Sequence, residues 1–227
     1  MNFRNRFIRL VTVLATAAIL SQTGMRVLAA PKAPSLTRRD ILEAEQLLSG
    51  LGYWIVKVDG VADASTKHAI TAFQKVEGRK RTGILSRADL EVLRYASRPA
   101  ARFKTGAAHV EIDISRQVLF LADGDGVVQR VLPVSTGNEK RYFDKGEWQI
   151  AHTPRGRFRI AWKINGVRRS TLGNLYYPSY FVGGVAIHGS NSIPSNAASH
   201  GCVRIPRFAE REVYKLIPVG TEVIVYD

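Results

Sequence analysis

The sequence predicts an α+β protein with more than one domain: a small three-helix domain at 37–96, followed by a mostly antiparallel, β-sandwich-like domain at 108–227. The main observation is a change of hydrophobic period, since apolar residues recur at helical spacing in the first region and alternate along the second. Residues 97–107 separate the two regions and follow neither period. No long helical pattern interrupts the alternating segments, which favours antiparallel pairing.

The first 29 residues have the layout of a signal peptide. A basic start precedes an apolar run at 10–20, and small residues around Ala29 offer a cleavage site. This run is too short for a membrane span, which needs about 20 residues. We therefore predict a signal peptide at 1–29 and an extended leader at 30–36, with an uncleaved membrane anchor as the alternative. The chain is expected to be exported.

Three short helices are predicted between residues 37 and 96. Thr37 is placed to cap the first helix and Ser86 the third, because Ser and Thr side chains satisfy the backbone N–H groups of a first turn. A turn at Asp59-Gly60 separates the first helix from the second. The apolar residues at helical spacing, which would share a small core, are Ile41, Ala44, Leu47, Leu48, Leu51, Ala69, Ile70, Phe73, Val76, Leu90 and Leu93.

The β domain is predicted from segments in which apolar and polar residues alternate. Ser115-Arg116 suits a hairpin, and the aspartate-glycine run at 123–126 is a second turn. Pro206 suits the start of a single late helix at 207–217. The predicted strands are residues 109–114, 117–122, 127–134, 156–164 and 222–226.

The residues that could carry chemistry are concentrated at 186–206, which holds the only cysteine, Cys202, and two of the five histidines, His188 and His200. A thiol has a pKa of about 8.5 and needs a base or cation beside it to act as a nucleophile near neutral pH. Gly201 lets a substrate carbonyl approach the backbone N–H groups. Two other interpretations stay open here: a buried structural cysteine, and a zinc site that would still lack a fourth ligand.

Residues 187–204 resemble the active-site motif of the YkuD-type L,D-transpeptidases, bacterial enzymes that cross-link peptidoglycan. The resemblance is carried by SHGCVR at 199–204 and IHG upstream of it, and stretches at 134–137 and 153–158 are similar to the same family's pattern. It spans residues 108–227 and implies the fold of that catalytic domain, with a cysteine nucleophile, no metal and no other cofactor. It also implies inhibition by carbapenems, the β-lactam class that acts on this family.

The resemblance assigns a role to each predicted catalytic residue. Cys202 would attack the carbonyl of a stem-peptide L-centre and release the terminal D-Ala. His188 would be the base that takes the thiol proton, with its ring oriented by the carbonyl of Gly189. His200 would stabilise the reaction intermediate. The backbone N–H groups of Gly201 and Cys202 would hold the oxyanion.

Arg204 and Ser199 are the predicted substrate-binding residues. In an extended segment Arg204 projects on the same side as Cys202, and its guanidinium could pair with a stem carboxylate. A solvated surface arginine is the alternative. The aromatic segment at 174–181 could form a wall of the cleft, and ordinary loop packing explains it equally well.

The helical region resembles the small PG_binding_1-type peptidoglycan-binding domain. Wall binding is implied by this resemblance alone, because most of the matching residues also suit a role in the fold, and Phe73 is assigned to the core. Residues 97–107 have the composition of a flexible linker, so we expect the helical domain to be removable without loss of soluble turnover. The matching residues are Asp59, Gly60, Thr66, Ala69, Phe73 and Gln74.

Peptidoglycan stem peptides are the predicted partner, and the predicted location is the periplasm or the cell wall. The formal net charge of +14 suits polyanionic wall polymers or lipid headgroups, although it could also be ordinary solubilising charge. We expect no nucleic acid, and contact with the membrane only through the signal sequence. The predicted activity is L,D-transpeptidation. The alternatives are hydrolysis of the same substrate by an L,D-carboxypeptidase and a catalytically inert wall-binding protein.

Overall fold

A computed structural model describes residues 35–227 of the chain. The predicted signal peptide at 1–29 and nearly all of the predicted leader at 30–36 lie outside the described residues. Within residues 35–227, no helix is long and apolar enough to cross a membrane. These residues form one compact unit.

The three predicted helices are present: α1 is Arg38–Gly50, α2 is Ala64–Val76 and α3 is Arg87–Tyr95. Thr37 and Ser86 close capping boxes on α1 and α3, each with an aspartate at the third helical position, as their spacing predicted. The α2 helix is capped by Asp63, whose carboxylate accepts a hydrogen bond from a backbone N–H of the first turn. Satisfied first turns explain where each helix begins.

The residues shared with peptidoglycan-binding domains hold the helical region together. Buried Glu45 accepts hydrogen bonds from the backbone N–H groups of Asp59 and Gly60 and from the Thr66 hydroxyl. Phe73 is fully buried, which confirms its assignment to the core. At these positions the sequence pattern therefore encodes the fold.

The β domain contains twelve strands in three sheets and one further α-helix. The first sheet has the order β3-β2-β1-β12-β6, the second has the order β11-β10-β9-β7 with β8 paired to β9, and β4 and β5 form a separate hairpin. The β1–β12 and β10–β11 pairs are parallel and the others antiparallel, so the predicted α+β class and mostly antiparallel β domain are confirmed. The elements are β1 His109–Asp113, β2 Val118–Ala122, β3 Val128–Pro133, β4 Arg141–Asp144, β5 Glu147–Ile150, β6 Gly156–Arg159, β7 Trp162–Lys163, β8 Val167–Ser170, β9 Gly173–Val182, β10 Val185–Ser190, β11 Val203–Pro206, the 3-10 turn Arg207–Ala209, α4 Glu210–Leu216 and β12 Glu222–Tyr226.

One predicted strand is wrong, because residues 156–164 divide between two sheets. Strand β6 pairs with β12 in the first sheet, whereas β7 pairs with β9 in the second. Ile160 is buried where the chain crosses from one sheet to the other. Alternation continues through the crossing, so the period alone could not reveal it. The aromatic segment at 174–181 lies within β9 and is therefore strand.

The helices pack directly on the first sheet. Val118, Phe120, Val128 and Val131 of β2 and β3 belong to the same apolar cluster as the helix core. The connecting residues 97–107 lie along the sheet, where the backbone N–H groups of two of them donate to a buried glutamate carboxylate. The connection is therefore not a free tether. The expectation that the helical domain can be removed without loss of soluble turnover assumed a flexible linker, and these contacts remove that basis. The boundaries at 37–96 and 108–227 stay a prediction.

Candidate active site

The structure brings the predicted site residues together in one cleft. Its volume is about 610 Å³, and Cys202, His188, His200 and Arg204 all line it. Residues of β8, β9, β10 and β11 line it, and the β4–β5 hairpin contributes to one wall. Residues that are distant in sequence therefore face the same space.

Cys202 lies immediately before β11 and beside Ala186 of β10, whose backbone N–H donates to Sγ at 3.4 Å. The residue is half-buried and is a free cysteine. Burial raises the pKa of the thiol, although the Ala186 N–H and the nearby Arg204 and Arg168 guanidinium groups act in the opposite direction. At neutral pH the resting sulfur is therefore a thiol rather than a thiolate.

His188 follows Ala186 by two residues on β10, so the two residues share one face of the strand. Its Nδ1 lies 2.8 Å from the carbonyl oxygen of Gly189. Because a carbonyl can only accept, the proton must be on Nδ1, which leaves Nε2 unprotonated. Burial lowers the pKa of His188 to about 4, so the ring is neutral at pH 7.

Gly189 has no room for a side chain. A Cβ at this position would lie 1.9 Å from Oε2 of Glu210, which is only 5 % exposed at the start of α4. That oxygen lies 2.6 Å from Arg207 Nε and forms an ion pair with it. The oxygen has no hydrogen-bond donor, because the angle between the two groups is poor. Glu210 was not predicted, because nothing in the order of residues links the late helix to the strand that carries His188.

Ser199 supports the loop that carries the nucleophile. Its hydroxyl donates to the carbonyl oxygen of Cys202 at 2.5 Å and accepts from the N–H of Gly201 at 3.0 Å. The residue is 1 % exposed, so its polar group is satisfied inside the protein. Ser199 lines the cleft, and its role in binding substrate stays a prediction; its hydrogen bonds hold the turn at Gly201 and Cys202.

The same bonds change the expected oxyanion donors. The Gly201 N–H is engaged by Ser199, whereas the Cys202 N–H has no hydrogen-bond partner within residues 35–227. Gly201 has φ of +133°, and a Cβ there would lie 2.8 Å from the carbonyl oxygen of His152. Glycine is thus needed for the turn itself, and of the two predicted donors only the Cys202 N–H is available.

His200 is exposed at the edge of the cleft, where its ring centroid is 4.6 Å from that of Tyr142 on β4. The chain bends between His200 and Cys202, where Gly201 has a positive φ. Arg204 is half-buried, pairs in register with His188, and makes no side-chain hydrogen bond or ion pair in the described part of the chain. Its guanidinium can therefore receive a substrate carboxylate.

Two residues that line the cleft, Arg168 and Tyr180, were not predicted as site residues. Arg168 Nη1 donates to the Tyr180 hydroxyl at 2.9 Å, and the Tyr180 ring is stacked on that of Trp162 with centroids 3.7 Å apart. The sequence pointed only to the aromatic segment that contains Tyr180. Among residues 35–227, no cluster of three or more His, Cys, Asp and Glu side chains is arranged to hold a metal ion.

A thiol, a neutral imidazole with a fixed tautomer and an available backbone N–H define a site for cysteine-dependent acyl transfer. Comparison with known proteins agrees with this class. The L,D-transpeptidase catalytic domain of the YkuD family matches residues 107–225, and the PG_binding_1 peptidoglycan binding domain matches residues 37–93. No curated protein sequence matches the chain.

Solved structures include similar proteins. An L,D-transpeptidase from Xylanimonas cellulosilytica is 38% identical with a TM-score of 0.80, over 87% of this chain and 100% of that one. An L,D-transpeptidase from Stackebrandtia nassauensis is 23% identical with a TM-score of 0.48, over 82% of this chain and 90% of that one. The chain belongs to the YkuD family of L,D-transpeptidases.

Proposed function

We propose that this protein is a peptidoglycan L,D-transpeptidase that cross-links stem peptides outside the cytoplasm. Cys202 attacks the stem tetrapeptide, the terminal D-Ala is released, and the acyl group passes to an amine of a second stem. The observation that carries this proposal is the placement of His188 beside the cysteine strand, with Nδ1 bound to Gly189 and Nε2 unprotonated.

The first step begins from a neutral pair, because burial raises the pKa of Cys202 and lowers that of His188. The sulfur attacks the carbonyl carbon while its proton moves to Nε2 of His188. The carbonyl oxygen becomes an oxyanion, and the Cys202 N–H is the donor available to it. When the C–N bond breaks, the imidazolium returns the proton to the leaving D-Ala amine. The product is a thioester.

The second step reverses these roles. An incoming amine attacks the thioester carbonyl and loses a proton to His188, and the thiolate that leaves is reprotonated from the imidazolium. Water in place of the amine would give hydrolysis. The two outcomes differ only in the acceptor, so the identity of the acceptor decides between transpeptidase and carboxypeptidase.

The cleft supplies the charge that a stem peptide requires. Arg204 and Arg168 both line it close to Cys202, and the pKa of the thiol responds to both guanidinium groups. Arginine pairs well with carboxylates, and a tetrapeptide stem ends in one. His200 lies at the mouth of the cleft, where it can contact the bound peptide or the intermediate.

The test is digestion of muropeptides with the purified protein. Disaccharide tetrapeptides should yield cross-linked dimers and free D-Ala, whereas Cys202→Ala should yield neither and keep its thermal transition. The result should be unchanged in the presence of a chelator. Tripeptides without dimers would assign the carboxypeptidase reaction, and an unchanged substrate would make the protein an inert wall binder.

A further inference from the structure

Lys75 of α2 is a buried lysine that belongs to the helical region yet makes its polar contacts in the β domain. It is 1 % exposed, and its Nζ donates to the carbonyl oxygens of Gln117 at 3.0 Å and Val134 at 2.9 Å. Burial, with a contribution from Arg81, lowers the pKa of Lys75 to about 7. The two hydrogens of a neutral amine match the two carbonyls, so the group is satisfied without an acidic partner.

Both hydrogen bonds of Lys75 connect it to residues 134–137, which follow β3, because Val134 begins this segment and Gln117 binds Thr136 within it. Gln117 holds Thr136 through two bonds, from its Nε2 to Oγ1 at 2.6 Å and from the Thr136 N–H to its Oε1 at 2.9 Å. Gln117 is fixed with φ of +60°, an uncommon conformation for a residue other than glycine. Lys75 thus anchors the beginning of 134–137 directly and its middle through Gln117.

Residues 134–137 in turn hold the catalytic loop, which we define as residues 195–204. The carbonyl oxygen of Thr136 accepts from the backbone N–H groups of Ala198 at 3.0 Å and Ser199 at 2.9 Å. Ser135 exchanges two backbone hydrogen bonds with Arg204, at 3.0 and 3.2 Å. The loop is therefore attached to 134–137 on both sides of the nucleophile.

A second side chain of the helical region contacts the same loop. Arg81 donates from Nη1 to the carbonyl oxygen of Ser195 and from Nη2 to that of Ser115, each at 3.3 Å. Ser195 is at the beginning of the catalytic loop, and Ser115 is in the turn that leads to Gln117. Lys75 and Arg81 therefore connect the helical region to both ends of the network that carries Cys202.

We propose that Lys75 and Arg81 are positioning residues for the catalytic loop, so that the helical region is part of the support of the active site in addition to any binding of the wall. Acyl transfer needs the Cys202 sulfur and N–H held in a fixed arrangement around the substrate carbonyl. A shift of about 1 Å can cost about a hundredfold in rate. The kinetic part of this proposal rests on the proposed function.

The experiment compares Lys75→Met with Lys67→Met in the full chain. Lys67 is an exposed lysine of the same helix, so it controls for the loss of a charge. Hydrogen exchange followed by mass spectrometry should show the Ala198 and Ser199 amides exchanging about tenfold faster in Lys75→Met, with β12 unchanged. Lys67→Met should match the parent protein. This measurement does not depend on any catalytic activity.

A second measurement separates positioning from general stability. Acylation of Cys202 by a carbapenem requires the oxyanion donor, whereas alkylation by iodoacetamide does not, and both adducts are counted by intact mass. In Lys75→Met we expect acylation to slow about tenfold while alkylation stays within about twofold. Arg81→Ala, which removes only a half-buried surface contact, should show the same pattern at about threefold.

An unchanged ratio of acylation to alkylation, together with unchanged loop exchange and only a lower melting temperature, would overturn the proposal. If Lys75→Met does not fold, Arg81→Ala decides by the same two measurements. A parent protein that is not acylated would refute the proposed function, and hydrogen exchange would still decide the positioning role.

Discussion

The two sides of the cleft are built in different ways. The catalytic loop at 195–204 is bonded to 134–137 and to the Thr153 hydroxyl, and Ser199 within it is buried. The opposite side is the β4–β5 hairpin, a two-stranded sheet that pairs with no other strand described. Phe143 and Trp148 on its outer face are 60 and 62% exposed.

The hairpin has few contacts with the rest of the cleft. The Tyr142 ring lies against His200, and the Asp144 carboxylate accepts a hydrogen bond from the Thr171 hydroxyl at 2.7 Å. Local stability follows the number of buried contacts, so the hairpin should open at lower free energy than the loop. We therefore expect the side that holds Cys202 to be fixed and the hairpin side to be adjustable.

The largest effect should come from the base on the fixed side. We expect His188→Ala to slow carbapenem acylation of Cys202 by about 100-fold or more at neutral pH and to recover partly at high pH, where the thiolate forms unaided. In the parent protein the acid limb should lie near pH 4, because that is the pKa of His188 and protonation removes the base. Intact-mass kinetics across pH measure both.

His200→Ala is the matched variant, because His200 lies in the catalytic loop with its ring against Tyr142 of the hairpin. Its rate should fall without recovery at high pH, since its proposed task is to stabilise the intermediate rather than to remove a proton. Recovery in His200→Ala and not in His188→Ala would reverse the two roles.

A smaller effect on stability and on acylation is expected at Gly189, which has no room for a side chain. Gly189→Ala should lower the free energy of unfolding by about 1–3 kcal/mol and slow acylation, because the new Cβ meets the Glu210 carboxylate and displaces the carbonyl that orients His188. Gly50→Ala is the control, since a Cβ there has no neighbour within 4 Å. Equal stability and equal rates in the two variants would mean that the Glu210 contact does not constrain the base.

The smallest effect should be on the hairpin. Tyr142→Ala removes its ring contact with His200, and we expect KM for a muropeptide to rise by about 2- to 5-fold while kcat changes less. The control is Phe143→Ala, which alters the outer face of the same strand. Steady-state kinetics distinguish the two, and a loss confined to kcat would place the hairpin among the fixed parts of the site.

The sequence predicted those features of the fold and the site that depend on interactions between neighbouring residues. The caps at Thr37 and Ser86, the core position of Phe73 and the neighbourhood of Cys202 each follow from a few adjacent residues. The His188–Gly189 contact came from the family resemblance, and the structure has the expected bond. Such features can be predicted from the sequence because the interacting groups are close in the chain.

Features that depend on distant residues were not predictable in this way. The partners of Lys75 lie 42 and 59 residues away, and no pattern connects a helix to those carbonyls. The engagement of the Gly201 N–H by Ser199 depends on a turn whose shape the sequence does not specify. Glu210 reaches Gly189 only after the 3-10 turn packs on β10 and α4 packs on β9. Tertiary packing determines these contacts.

The position of β12 has a consequence for how the chain acquires its structure. This strand, Glu222–Tyr226, lies between β1 and β6. The first sheet is therefore incomplete until β12 is present and Glu222 pairs with His109 of β1. Pairing over so long a separation is slow, and synthesis from the N-terminus delivers this interior strand last. Until then Cys202 lacks its finished surroundings, and because it is the only cysteine, oxidation could link it only to another molecule. The Cys202 thiol therefore stays open to intermolecular oxidation until residues 222–226 have paired with β1 and β6.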